Sequence, residues 1–142
     1  MIIYAGPSLL VRLLDPAQAA TFALSVEVQV VSTAQALAEC TADAVADGLG
    51  RGMTPEGALA ALSDLVDSET GLIEIVGLDA DGVEASARQI SAQTGLGAAH
   101  AWHVAAAELC FADLAESDEA RRFGADDGRQ GAVARARGWG VI

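Results

Sequence analysis

The stretch Met1-Ile2-Ile3-Tyr4-Ala5-Gly6-Pro7-Ser8-Leu9-Leu10-Val11 opens the chain, and its reading decides the fold. Ile2 to Ala5 are apolar at consecutive positions rather than alternate ones, the pattern of a strand buried on both faces. Gly6-Pro7 stops the run. Ser8 to Leu14 carry apolar residues on a helical face, and Pro16 begins another short helix through Leu24. Val26, Val28, Val30 and Val31 make a β-branched second strand. Ser32 and Gln35 have the spacing of a capping box, for a helix through Ala38 and Cys40 to Asp47, ended by Gly48-Leu49-Gly50. Thr54-Pro55 opens the next helix, with proline where its missing N–H costs little.

Leu72, Ile73, Ile75 and Val76 give a third strand. Asp81 and Glu84 have cap spacing for a helix holding Val83, Ala87 and Ile90, and Ala98 to Phe111 read as an alanine-rich helix. Asp127 and Gln130 repeat the cap spacing ahead of Ala132 to Ala136, and Trp139 to Ile142 close as a last strand. Strands alternating with helices predict one α/β domain of three α/β/α layers around a central parallel sheet. Sites in such sheets lie beyond the carboxyl ends of the strands. The residues that matter are therefore Gly6, Ser8, Ser32, Glu39 one to two turns further on, and the acids before the last helix.

A chain of 142 residues can bury one core, and 52% hydrophobic residues with 4% aromatics suit alanine-rich helices packed closely on a sheet. Eight basic residues, all arginine, stand against 20 acidic ones, a net charge of −12. Such a chain repels phosphate backbones at long range, which argues against non-specific nucleic-acid binding. Arg121, Arg122, Arg129, Arg135 and Arg137 nevertheless collect late in the chain, where a local basic edge and plain helix-end pairing are both open readings. Cys40 and Cys110 lie far apart inside helical patterns, as two buried thiols of a reducing compartment do. Arg12 and Asp15 interrupt the opening apolar stretch, so neither a leader nor a membrane span is expected, and the chain is expected in the cytoplasm. No Gly-x-x-x-x-Gly-Lys loop occurs, and Gly95-Leu96-Gly97 precedes a helix without following a strand.

Four elements in order carry a resemblance. Ile2-Ile3-Tyr4-Ala5-Gly6-Pro7-Ser8-Leu9 resembles a hydrophobic strand followed by Asp-x-Ser, with Gly6 at the Asp position. Val31-Ser32, then Ala38-Glu39, is similar to a strand leading to a helix that bears a glutamate. His100-Ala101-Trp102-His103-Val104 matches Asp-Ala-x-His, with His100 at the Asp position. Asp127-Gly128-Arg129-Gln130, the alanine-rich helix and Gly138-Trp139-Gly140-Val141 match Asp-x-Arg and a closing Gly-x-x-Val. Together these resemble PIN-domain ribonucleases of the VapC toxin type, over the whole chain.

The resemblance implies a hydrolase, an endoribonuclease dependent on Mg²⁺ or Mn²⁺, from a type II toxin–antitoxin pair. It also implies a homodimer, a small antitoxin protein as partner, and RNA as substrate. Glu39 and a late aspartate are the implied catalytic acids and metal ligands, with His100 as a further candidate ligand. The late aspartate is Asp118 when counted forward from His100 and Asp127 when counted back from the end. The stretch between, Ala120 to Ala125, reads as an insertion, and Asp127 is favoured because its neighbours Arg129-Gln130 and the length of the tail both fit. Mg²⁺ needs converging hard oxygen ligands, and Gly6 supplies none. His100 offers an imidazole better suited to Mn²⁺ or Zn²⁺. Catalysis is therefore expected to be impaired, and a non-catalytic PIN-fold binding protein is the alternative. A transition-metal site of Glu39, His100, His103 and Asp127 is a narrower reading, set against a purely structural His103. Gln35, Glu39 and Asp43 share a helix face, either a pocket wall or a solvated stripe. Ser8 and Ser32 either orient a ligand or cap helices, and Trp102 and Trp139 either stack on bases or fill core and dimer contacts.

Overall fold

The computed structural model describes residues 1–23, 27–125 and 127–142. In chain order the elements are β1 (Ile2–Tyr4), α1 (Pro7–Arg12), α2 (Pro16–Ala23), β2 (Gln29–Ser32), α3 (Ala34–Gly50), α4 (Pro55–Leu65), β3 (Ile73–Ile75), α5 (Ala80–Thr94), α6 (Ala98–Leu114), β4 (Arg121–Phe123), α7 (Gly128–Ala136) and β5 (Gly140–Val141). The expected places of Leu24 in a helix and of Val26 in the second strand fall outside the described residues.

The five strands form one parallel sheet in the order β3-β2-β1-β4-β5. Helices cover both faces, so the molecule has the expected α/β/α layers. Alternation along β1 divides the core. Ile3 and Ala5 join Val30 and Ile73 beneath Leu9, Leu10 and Leu13, with Ala36, Cys40 and Ala44 of α3 and Leu62 of α4. Ile2 and Tyr4 join Val31 and Phe123 beneath α5, α6 and α7. Both faces of β1 are sealed, which is why its sequence does not alternate in polarity. Among the described residues, no helix is long and apolar enough to cross a membrane.

Local chemistry sets the helix starts, with two corrections to the expected caps. Thr33, not Ser32, caps α3 and accepts from the Ala36 N–H at 3.2 Å. Ser32 ends β2 and donates its hydroxyl to the Ala5 carbonyl at 2.6 Å. Asp79, not Asp81, caps α5 and accepts from the Gly82 N–H. Thr54 caps α4 with Pro55 behind it, and Asp127 caps α7, as the sequence predicts. The α3 helix runs past Gly48 to Gly50, and the left-handed position is Gly52 at φ +79°. Gly48 has a different reason to be glycine: a Cβ there would lie 2.6 Å from the Ala58 Cβ of α4.

The main departure concerns residues 120–125. They are no insertion, since Arg121–Phe123 form β4 and pair with β1 in the register Ile2↔Arg121 and Tyr4↔Phe123. Phe123 is buried and stacks on Tyr4, with ring centroids 5.6 Å apart.

Candidate functional site at the carboxyl edge of the sheet

At their carboxyl ends β1 and β4 lie side by side, and the chain leaves them for opposite faces. β1 leads to α1 in the aliphatic layer, and β4 leads to α7 in the other. A crevice at such a divergence is where open parallel sheets bind ligands. Gly6 follows β1 with φ −74° and ψ 177°, ordinary extended backbone, and brings no side chain to the crevice. Ser8 Oγ donates to the Ala125 carbonyl at 3.4 Å and so ties the two diverging segments.

The first group of polar residues joins the two helical layers over the sheet edge. Glu39 of α3 meets His103 of α6, with Oε2 2.7 Å from Nε2. His103 Nδ1 lies 3.0 Å from the Tyr4 hydroxyl, and that oxygen is 3.5 Å from Thr33 Oγ1. An ionised carboxylate can only accept, so Nε2 carries the proton. In the neutral ring Nδ1 is then an acceptor and the tyrosine hydroxyl donates to it. Tyr4 is wholly buried and His103 is 1% exposed, while the Glu39 side chain is 33% exposed. The chain of hydrogen bonds therefore starts in the core and ends on a carboxylate that solvent reaches. Gln35 Nε2 donates to the other oxygen of Glu39 at 2.6 Å. Burial works against ionisation of Glu39. The hydrogen bonds from His103 and Gln35, with the nearby imidazoles of His103 and His100, outweigh it and hold the carboxyl below its usual 4.5.

The second group lies one helical turn earlier on α6. His100 Nδ1 is 3.4 Å from Asp127 Oδ2. Asp127 Oδ1 accepts from the Gln130 N–H at 2.7 Å, the cap bond of α7, and the buried Gln130 side chain donates to the His100 carbonyl at 3.2 Å. The backbone bond from Gln130, together with the charge of His100 and Arg129, depresses the Asp127 carboxyl against a smaller cost of desolvation. Arg129 itself reaches the Gly95 carbonyl at 3.1 Å.

The sequence-predicted residues thus divide. Glu39, His100, His103 and Asp127 stand at this edge as two carboxylate–imidazole pairs. Asp118 does not belong with them. It precedes β4 and lines a hollow with Met1 and Glu27, which precede β1 and β2, and with Gln29, which opens β2, so it sits at the amino edge of the sheet. Next to it, Glu119 pairs with the amino terminus at 2.9 Å. Asp43 lies further along α3 on an exposed position. Trp139 is a core residue packed edge-on against Phe111 at 5.0 Å, and Trp102 is half-buried with its ring edge-on to His103 at 5.2 Å. Cys40 and Cys110 are free and buried in different layers, and burial pushes the thiols up to about 11 and about 12.

Tyr4, Thr33 and Gln130 are the members that sequence reading missed. Tyr4 alone carried a signal, as the one hydroxyl in an otherwise aliphatic strand. Magnesium fits this set poorly. Both oxygens of Glu39 and both of Asp127 already face donors, and Gly6 contributes nothing. Among the described residues, no group of three or more His, Cys, Asp or Glu is placed to hold a metal ion. His103 is also unsuited to a transition metal, because each ring nitrogen is engaged and the ring is sealed from solvent. Compared with known proteins, the chain matches no family model and no curated protein.

Proposed function

We propose that the protein is a VapC-like PIN-domain member of a type II toxin–antitoxin pair whose Mg²⁺- or Mn²⁺-dependent RNA cleavage is impaired. One observation carries this reading: the two acids at the carboxyl edge each face an imidazole of α6, Glu39 hydrogen-bonded to His103 and Asp127 3.4 Å from His100. The position after β1 where a third acid would complete a metal cluster is Gly6. The parallel α/β/α architecture and the place of these residues where β1 and β4 diverge support the resemblance read from the sequence. Hydrolysis of a phosphodiester by such a site needs a cation to activate water and stabilise charge on the leaving oxygen. This edge is poor in available anionic oxygen to hold one.

The second reading is a non-catalytic binding protein that keeps the partner surface. The paired state of both acids favours it, and a net charge of −12 suits a small antitoxin with an arginine-bearing segment. The test begins with purified protein on single-stranded RNA with Mg²⁺ or Mn²⁺. Cleavage near background, unchanged by Glu39→Ala, is expected. Vigorous Mg²⁺-dependent cutting that Glu39→Ala abolishes would overturn the impairment. Restoring both acids, as Gly6→Asp with His100→Asp, is expected to create Mg²⁺-dependent cleavage. A folded double variant that stays inert defeats the ribonuclease ancestry. Copurification with the neighbouring gene's product, in a co-expression experiment, supports the partner-binding role, and its absence counts against it.

A further inference from the structure

We propose that His100 and His103 together take the place of a divalent cation as the counter-groups of Glu39 and Asp127, so that this edge is complete without bound metal. The question of a cation arises from the functional reading above, and the answer comes from the side chains. Carboxylates brought together from separate elements repel one another unless something between them compensates. Here the two acids come from separate places, Glu39 from α3 and Asp127 from the turn ahead of α7, and α6 offers one ring to each. The rings are three residues apart on one helix and therefore project from the same side of it. Each presents a nitrogen to a carboxylate, at 2.7 Å for His103 and 3.4 Å for His100.

His103 is held by the Tyr4 hydroxyl from within the core, and the backbone of His100 is held by the Gln130 side chain. The carboxylates are fixed from the other side, Glu39 by Gln35 and Asp127 by the N-terminal turn of α7. A cation entering this set would have to displace the His103 ring from Glu39 and share Asp127 with the His100 ring. The departure at position 100 then has a positive role. An aspartate there would add a third anion beside Asp127, whereas histidine supplies a donor.

The decisive experiment is thermal melting of the full chain in EDTA, in millimolar MgCl₂ and in millimolar MnCl₂, with calorimetric titration of each cation. A site bathed at about a hundred times its dissociation constant raises the melting midpoint by several degrees. The natural protein is expected to melt at the same temperature in all three. His100→Asp, and Gly6→Asp with His100→Asp, are expected to melt lower in EDTA and to recover several degrees with Mg²⁺. Circular dichroism checks that each variant is folded, and His100→Asp alone serves if the double variant is not. A midpoint of the natural protein that climbs with Mg²⁺, and no longer does so in Glu39→Gln, overturns the proposal. So do folded aspartate variants that stay indifferent to the cation, since the histidines are then not what excludes it. Failure of the toxin-family reading shows elsewhere, in RNA cleavage and copurification, and is separable from either result.

Discussion

On the face covered by α1 to α4, β1 contributes Ile3 and Ala5 to a layer of leucine, isoleucine, valine and small residues. On the opposite face the same strand contributes Ile2 and Tyr4 to a layer rich in alanine and aromatic rings, into which His103 is also built. The first face holds chiefly by apolar packing. The second gives up part of that simplicity for a line of hydrogen bonds from Tyr4 through His103 to the solvent-facing Glu39. A buried polar group is tolerable only when its partners are met, and this line meets them. Rigidity on one face thus supports orientation on the other.

The comparison can be tested by substitution, starting with the aliphatic face. Leu10 is wholly buried there, and Leu10→Ala is expected to cost about 2–5 kcal/mol by lost transfer and a cavity. Urea unfolding measures it, and a loss under about 1 kcal/mol would mean the layer collapses around the gap. Tyr4→Phe keeps the stacking on Phe123 but strips the donor from His103 Nδ1. It is expected to cost about 1–3 kcal/mol, the price of a buried acceptor without a partner. Stability equal to the natural protein's would show that the hydroxyl orders nothing.

Smaller effects separate the two edges of the sheet. Asp127→Ala removes the α7 cap and is expected to cost about 0.5–2 kcal/mol. Asp118→Ala, at the exposed amino edge, is expected to stay within about 0.5 kcal/mol. Equal costs would contradict the assignment of Asp127 alone to the carboxyl edge. Acid titration gives the finest probe. Glu39 is depressed below 4.5, so its contribution to stability is present above that value and fades as pH falls through the lower folded value. Glu39→Gln should therefore flatten the acid limb of the stability curve below pH 4.5. An unchanged limb would show that the carboxylate gains nothing from its imidazole.

The strands that are apolar on both faces were legible, because Ile2–Ala5 and Ile73 leave no alternative to burial. Thr54-Pro55 and Asp127 gave helix starts from chemistry that acts within one turn. β4 was not legible. Arg121-Arg122-Phe123 has a single apolar residue, and its place beside β1 is set by the stacking of Phe123 on Tyr4, a contact between residues far apart in sequence. Missing that strand is also what left Asp118 and Asp127 in competition, since the two lie before and after it and hence at opposite edges. Ser32 and Asp81 had cap spacing, but Thr33 and Asp79 hold the extended backbone a cap requires. The acids and histidines of the carboxyl edge could be named from their motifs. Their pairing could not, because it depends on α3 and α6 meeting over the sheet.

The pairing of β1 with β4 has a consequence for how the chain is made. As the chain is synthesised, β1 receives its neighbour on one side from β2, at Gln29–Val31, soon after β1 itself emerges. Its other side waits for Arg121–Phe123, which follow only after α1 to α6 have been made. Throughout that interval a row of unpaired backbone groups borders the most apolar strand of the protein, open to pairing with another nascent copy. Chains truncated before residue 121 are expected to accumulate as aggregates, and chains that include β4 to escape that fate.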